Sequence, residues 1–136
     1  MAREIEKSEE EWRQELPPES YAVLRQASTE RPGTGKYTYS KDKGMFVCLG
    51  CGNELFSSGS KFDSGCGWPS FTDPVDRENV DLVDDNTHGM KRTEVLCKRC
   101  GGHLGHVFDD GPGPSGTRYC INSVAIDLKP ETEPAP

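Results

Sequence analysis

Two Cys-x-x-Cys units, Cys48-Leu-Gly-Cys51 and Cys97-Lys-Arg-Cys100, limit what this chain can fold into more than any other feature. Each unit turns two thiolates toward one point, and two units complete the four-sulfur tetrahedron that structural zinc prefers. Each follows a short run, Met45-Phe46-Val47 or Thr93-Glu94-Val95-Leu96. Each is followed by glycine, Gly52 or Gly101-Gly102, in the strand-then-turn layout of a zinc knuckle. The stretch from Cys51 to Cys97 is too long for a small finger, so one ion is expected to join distant hairpins of a single domain. The alternative is two redox dithiols, but neither unit opens a βαβ helix as a thioredoxin-type motif does. His103 is a further possible ligand, for which four cysteines leave no room.

A metal staple suits the composition. Of 136 residues only 32% are hydrophobic, beside 15 Gly and 10 Pro, so the apolar core must be thin for one domain of this length. Lys+Arg 16 against Asp+Glu 23 gives a net charge of -7, which repels a phosphate backbone and argues against nucleic acid as a partner. The N-terminal Met-Ala-Arg-Glu-Ile-Glu-Lys has no signal-peptide core, and no apolar run is long enough to cross a bilayer. A cytoplasmic protein without membrane contact is expected. Paired spacing in four of the 6 cysteines then points to metal in a reducing compartment, not to a secreted disulfide framework.

Ser8-Glu9-Glu10-Glu11 has the form of a capping box and predicts a helix to about Glu15, ended by Leu16-Pro17-Pro18. A second helix from Glu19 to Ala27 places Tyr21 and Leu24 on one docking face. Residues 1–30 thus read as a helical clasp, 31–129 as the functional body and 130–136 as a disordered tail with too little apolar content to pack. In the body, dense Gly and Pro exclude long helices, and the fold class is mainly antiparallel β. Tyr37-Thr38-Tyr39, Gly44 to Val47 and Glu94-Val95-Leu96 read as short strands, and Thr117 to Leu128 as one longer strand. Alternation along that last strand puts Arg118, Cys120 and Asn122 on one face.

A single cysteine in a strand is ordinarily an inert buried thiol. Here a cation and an amide flank the Cys120 sulfur, which is expected to favour its thiolate and marks it as a nucleophile. His103-Leu-Gly-His106-Val-Phe-Asp109-Asp110 adds two imidazoles and two carboxylates directly after the second knuckle. Beside an unassigned cysteine they make a Cys/His constellation able to move protons near neutral pH. The other free thiol, Cys66, lies between Gly65 and Gly67, where little shields it and mobility suits a resolving role. Trp68 beside it is either core filler or an aromatic wall. His88 has no companion group and reads as structural.

With these residues the chain resembles the B-type methionine-R-sulfoxide reductases from about Tyr37 to Leu128. The resemblance rests on both knuckles, Ser64-Gly-Cys-Gly-Trp-Pro-Ser-Phe71, Gly102-His-Leu-Gly-His-Val-Phe-Asp-Asp-Gly111 and Arg118-Tyr-Cys-Ile-Asn122, in family order. It implies two antiparallel sheets packed as a tent, with a zinc site of Cys48, Cys51, Cys97 and Cys100 far from the pocket. It implies an oxidoreductase that reduces methionine-R-sulfoxide in peptides and proteins. Cys120 would attack the sulfoxide sulfur, with His103, His106 and Asn122 holding water or protons for the departing oxygen. Trp68 would face the substrate methyl, and Arg118 and Asp110 would shape the thiolate's field. Cys66 would then condense with the Cys120 sulfenic acid, and thioredoxin would reduce the disulfide. Two other readings stand beside this one: a zinc-ribbon binding module, which leaves both free thiols unexplained, and a thiol peroxidase, which needs no Trp-lined methyl site.

Overall fold

The computed structural model describes residues 7–86 and 92–130. His88 and the tail positions 131–136 lie outside them. Helix α1 (Glu9–Glu15) starts at the expected capping box: the Ser8 hydroxyl accepts the Glu11 amide at 3.2 Å, and the Glu11 carboxylate accepts the Ser8 amide. Helix α2 (Pro18–Gln26) starts one residue earlier than expected. Proline at its first position presets the helical φ and needs no donor. It stops where Ala27 turns left-handed at φ 55.

Both helices cover the knuckles. Trp12 of α1 is buried against Gly50, and Leu24 of α2 lies so close to Gly102 that a Cβ there would meet it at 2.8 Å. The Arg25 guanidinium donates to the Cys100 carbonyl at 2.9 Å. The clasp is therefore keyed to both Cys-x-x-Cys turns.

The body has two antiparallel sheets. The smaller contains β1 (Gly44–Cys48) between β2 (Glu54–Ser57) and β9 (Ile126–Pro130). The larger runs in the order β3 (Lys61–Phe62), β4 (Ser70–Phe71), β8 (Arg118–Ile121), β7 (His103–Phe108), β6 (Arg92–Cys97) and β5 (Val80–Asp85). Aromatic side chains join them: Phe56 of β2 stacks on Phe71 of β4 with centroids 4.5 Å apart, and Phe46 of β1 meets the edge of Phe71 at 5.2 Å. That seam is the centre of a small core.

The structure corrects three expectations. Tyr37-Thr38-Tyr39 is a turn, not a strand. Its β-like composition serves packing, for the buried Tyr37 ring meets Phe46 and its hydroxyl donates to Asp127 at 3.0 Å. The stretch from Thr117 to Leu128 is two strands, split by a 3-10 turn at Ser123–Ala125 that carries the chain from the larger sheet to the smaller. The Glu30 carboxylate holds that turn by accepting the Val124 amide at 3.0 Å. Pro130, read as the first tail residue, ends β9 and pairs with Gly44.

Candidate active site and metal site

The two knuckles have the same backbone. In the first, the Gly52 amide donates to the Cys48 carbonyl at 2.8 Å and the Cys48 amide to Asn53; in the second, Gly101 donates to Cys97 at 2.8 Å and Cys97 to Gly102. Gly52 and Gly101 take φ 79 and 75, a left-handed turn that glycine adopts without steric cost. The four sulfurs lie within 4.8 Å of one another, with Cys48 to Cys100 at 3.7 Å and Cys51 to Cys97 at 3.5 Å. Their mutual hydrogen bonds, Cys100 first, drive Cys48 far above and Cys97 far below the ordinary thiol range. A divalent cation suits such a set, because it replaces the shared protons. Since Cys48 ends β1 and Cys97 ends β6, one ion here would tie the two sheets together.

The free thiols meet elsewhere. Register places Ser70 of β4 and His106 of β7 directly opposite Cys120 of β8, so the three side chains share one face. The β7–β8 contact is tight: a Cβ on Gly105 would meet the Cys120 carbonyl at 2.0 Å. Cys66 comes from the loop before β4, and its sulfur stands 3.2 Å from that of Cys120. This loop, where mobility is expected, carries hydrogen bonds on both sides of the sulfur. The Ser64 hydroxyl bonds both the Cys66 sulfur at 3.0 Å and its amide, while the Gly67 carbonyl accepts the Gly33 amide.

A cavity of about 210 Å³ opens over the pair, walled by Trp68, His106, Phe108, Arg118 and Asn122. Trp68 is half-buried, a wall and not core filler, and its indole N–H donates back to the Glu30 carbonyl at 3.0 Å. The Asn122 carboxamide donates to the Leu104 carbonyl at 2.9 Å and accepts the Glu30 amide at 3.0 Å. His106 lines the cavity with its Nε2 at 2.8 Å from Asp85. His103 stands behind this wall, buried, with Nδ1 2.5 Å from Glu94 and Nε2 enclosed without a partner among the described residues. Burial, outweighing Glu94, lowers its pKa. Asp110 is exposed and grips Arg118 at 2.8 Å, which holds its carboxyl below the usual range. Arg118 in turn lies over the Phe108 ring.

The thiols divide their charge unevenly. At Cys66 the upward push of burial is overcome by hydrogen bonds from Ser64, Ser70, the Trp68 backbone and Cys120, and its pKa falls to about 7. Cys120 is pushed up to about 12, by burial first and then by Cys66, against the pull of Arg118. Two sulfurs this close titrate as a pair, so one proton leaves near neutrality and the second is held. The sequence suggested that Arg118 and Asn122 would favour the Cys120 thiolate directly. Arg118, itself paired with Asp110, does so by its charge and a hydrogen bond, though burial and Cys66 outweigh it, whereas the Asn122 amide is engaged by Leu104.

A model described as the SelR domain matches residues 16–130. The chain belongs to the SelR-domain family. It is similar to proteins named peptide methionine sulfoxide reductase MsrB from several organisms. That of Bradyrhizobium diazoefficiens is 62% identical over 125 residues, covering 92% of this chain and 90% of the relative. That of Methanosarcina barkeri is 57% identical over 129 residues, covering 95% and 91%. That of Leptospira interrogans is 54% identical over 131 residues, covering 96% and 100%. No helix among the described residues of this SelR protein is long and apolar enough to cross a membrane.

Sequence reasoning missed the groups that hold the candidate site residues of this SelR domain. Ser64 and Ser70 lie within the quoted Cys66 motif, and their hydroxyls were a usable signal. Glu94 pairs with His106 in register and Asp85 with Arg92, which a strand sequence reveals only once the pairing is known. Thr29 and Glu30, read as the end of the clasp, reach the cavity and Asn122.

Proposed function

We propose that this SelR domain reduces methionine-R-sulfoxide in peptides and proteins to methionine, using Cys120 as nucleophile and Cys66 as resolving thiol. The observation that carries the reading is the thiol pair, 3.2 Å apart, facing a cavity walled by an indole, an imidazole and a carboxamide. The Cys120 thiolate attacks the sulfoxide sulfur. One proton reaches the oxygen, the S–O bond breaks, and methionine leaves while Cys120 carries the hydroxyl as a sulfenic acid. Cys66 displaces that hydroxyl as water and the disulfide forms, a small closure from 3.2 Å to the usual bond of about 2.05 Å. A dithiol reductant of the thioredoxin kind then restores both thiols.

The remaining site residues divide the work. Trp68 offers its ring to the substrate methyl. His106, with Asn122 beside it and His103 behind it, supplies the proton for an oxygen that cannot depart as a bare oxide. Arg118, set by Asp110, offsets the charge on the sulfurs. Cys48, Cys51, Cys97 and Cys100 hold one zinc, which supplies cohesion between the sheets and no chemistry. A cytoplasmic setting keeps all these thiols reduced.

One observation favours the reverse assignment, with Cys66 attacking: its lower pKa. Single-turnover reduction separates the two. Cys66→Ser should still form one equivalent of methionine but fail to turn over with thioredoxin, whereas Cys120→Ser should form none. Methionine from Cys120→Ser and not from Cys66→Ser would reverse the roles. Activity confined to peroxide would indicate a peroxidase instead.

A further inference from the structure

We infer that Asp85 is a positioning residue for this reaction: by accepting the Nε2–H of His106 it makes Nδ1 the nitrogen through which a proton passes to the departing oxygen. The inference rests on the proposed sulfoxide reduction and assigns one ring atom within it.

Among the described residues His106 is the histidine that reaches the cavity, directly opposite Cys120 in register. Its Nε2 lies 2.8 Å from Asp85 Oδ2, and both side chains are only 13% exposed, so water competes little for the bond. A neutral imidazole has one donor and one acceptor nitrogen, and a carboxylate at one of them selects which. With Nε2–H given to Asp85, the proton that comes and goes is on Nδ1. His103 offers no such route, because Glu94 takes its Nδ1 and its Nε2 is enclosed.

The simpler account makes Asp85 half of a cross-strand ion pair with Arg92, its register partner. Distances favour the histidine: Arg92 reaches the same oxygen only at 3.4 Å, against 2.8 Å for His106. Arg92 itself lines the cavity, so the carboxylate bridges two wall residues from the edge strand β5. A nearly buried carboxylate needs such partners to offset its lost hydration.

Nitrogen-15 NMR of the intact, metal-loaded protein, at a pH where the imidazoles are neutral, reads the tautomer without any substitution. The expected result is His106 protonated at Nε2 and bare at Nδ1; the opposite tautomer overturns the inference. Asp85→Asn should slow single-turnover methionine formation about tenfold or more, short of the about 10²–10⁴-fold of the proton donor itself. Asp85→Glu should recover part of that rate, and Asp85→Asn added to His106→Ala should cost nothing further. An Asp85→Asn rate equal to that of the unaltered protein, or an equal loss in both backgrounds, overturns it as well. Failure of the unaltered protein to reduce any methionine sulfoxide would instead defeat the proposed function, and the tautomer would still be read directly.

Discussion

At the residue scale the proposed reaction depends on how two sulfurs 3.2 Å apart share their protons. Burial, then the hydrogen bond with Cys66 and the Cys66 charge, hold Cys120 up, while Arg118 draws it down. Removing the Cys66 charge takes away an upward push, so Cys120 in Cys66→Ser should ionise at lower pH than its present value of about 12. Alkylation of Cys120, followed by mass spectrometry across a pH series, should therefore set in earlier in that variant. An unmoved onset would show that Cys66 does not govern its neighbour. The six cysteines were legible in the sequence because spacing alone sorts four into knuckles and leaves two over. Their acidities were not, because those depend on Ser64, Ser70 and Asp110, whose contacts exist only after folding.

At the scale of elements, strands β7 and β8 carry the proposed chemistry. The approach at Gly105 leaves no room for a side chain: a Cβ would strike the Cys120 carbonyl at 2.0 Å, backbone that cannot turn aside. Gly105→Ala should force the strands apart between His106 and Cys120 and cost about 1–3 kcal/mol, as overpacking does elsewhere. The expected outcome is a lowered thermal midpoint with single-turnover reduction depressed and bound metal retained. Normal stability and rate would mean the pairing is looser than described. Helix α1 was readable from its cap, since both partners are three residues apart. The break at Ser123–Ala125 was not readable, because the carboxylate that holds it comes from Glu30, far away in sequence. The same distance hid the part the clasp plays: its end bonds Trp68 and Asn122, which makes it a wall of the site as well as a cover for the knuckles.

For the whole molecule, two sheets meet over a small aromatic seam, and the four-sulfur site joins the end of β1 to the end of β6. A domain with so thin a core should depend on that junction. One zinc per chain is expected by elemental analysis, and a strong chelator should abolish the cooperative thermal transition. A chelated, metal-free sample that still unfolds cooperatively and keeps its activity would contradict this. A mainly antiparallel β body could be read from the residues and the two sheets from the resemblance to B-type methionine-R-sulfoxide reductases, whereas the sheet order could not, since it depends on pairings between strands distant in the chain. The central claim is that the cavity over Cys120 and Cys66 reduces one sulfoxide epimer, and separated R and S methionine sulfoxide peptides offered with a dithiol reductant test it most directly. The account predicts methionine from the R peptide alone, and none from either peptide when Cys120 is serine. Reduction of the S peptide, or of the R peptide by the Cys120→Ser protein, would contradict it.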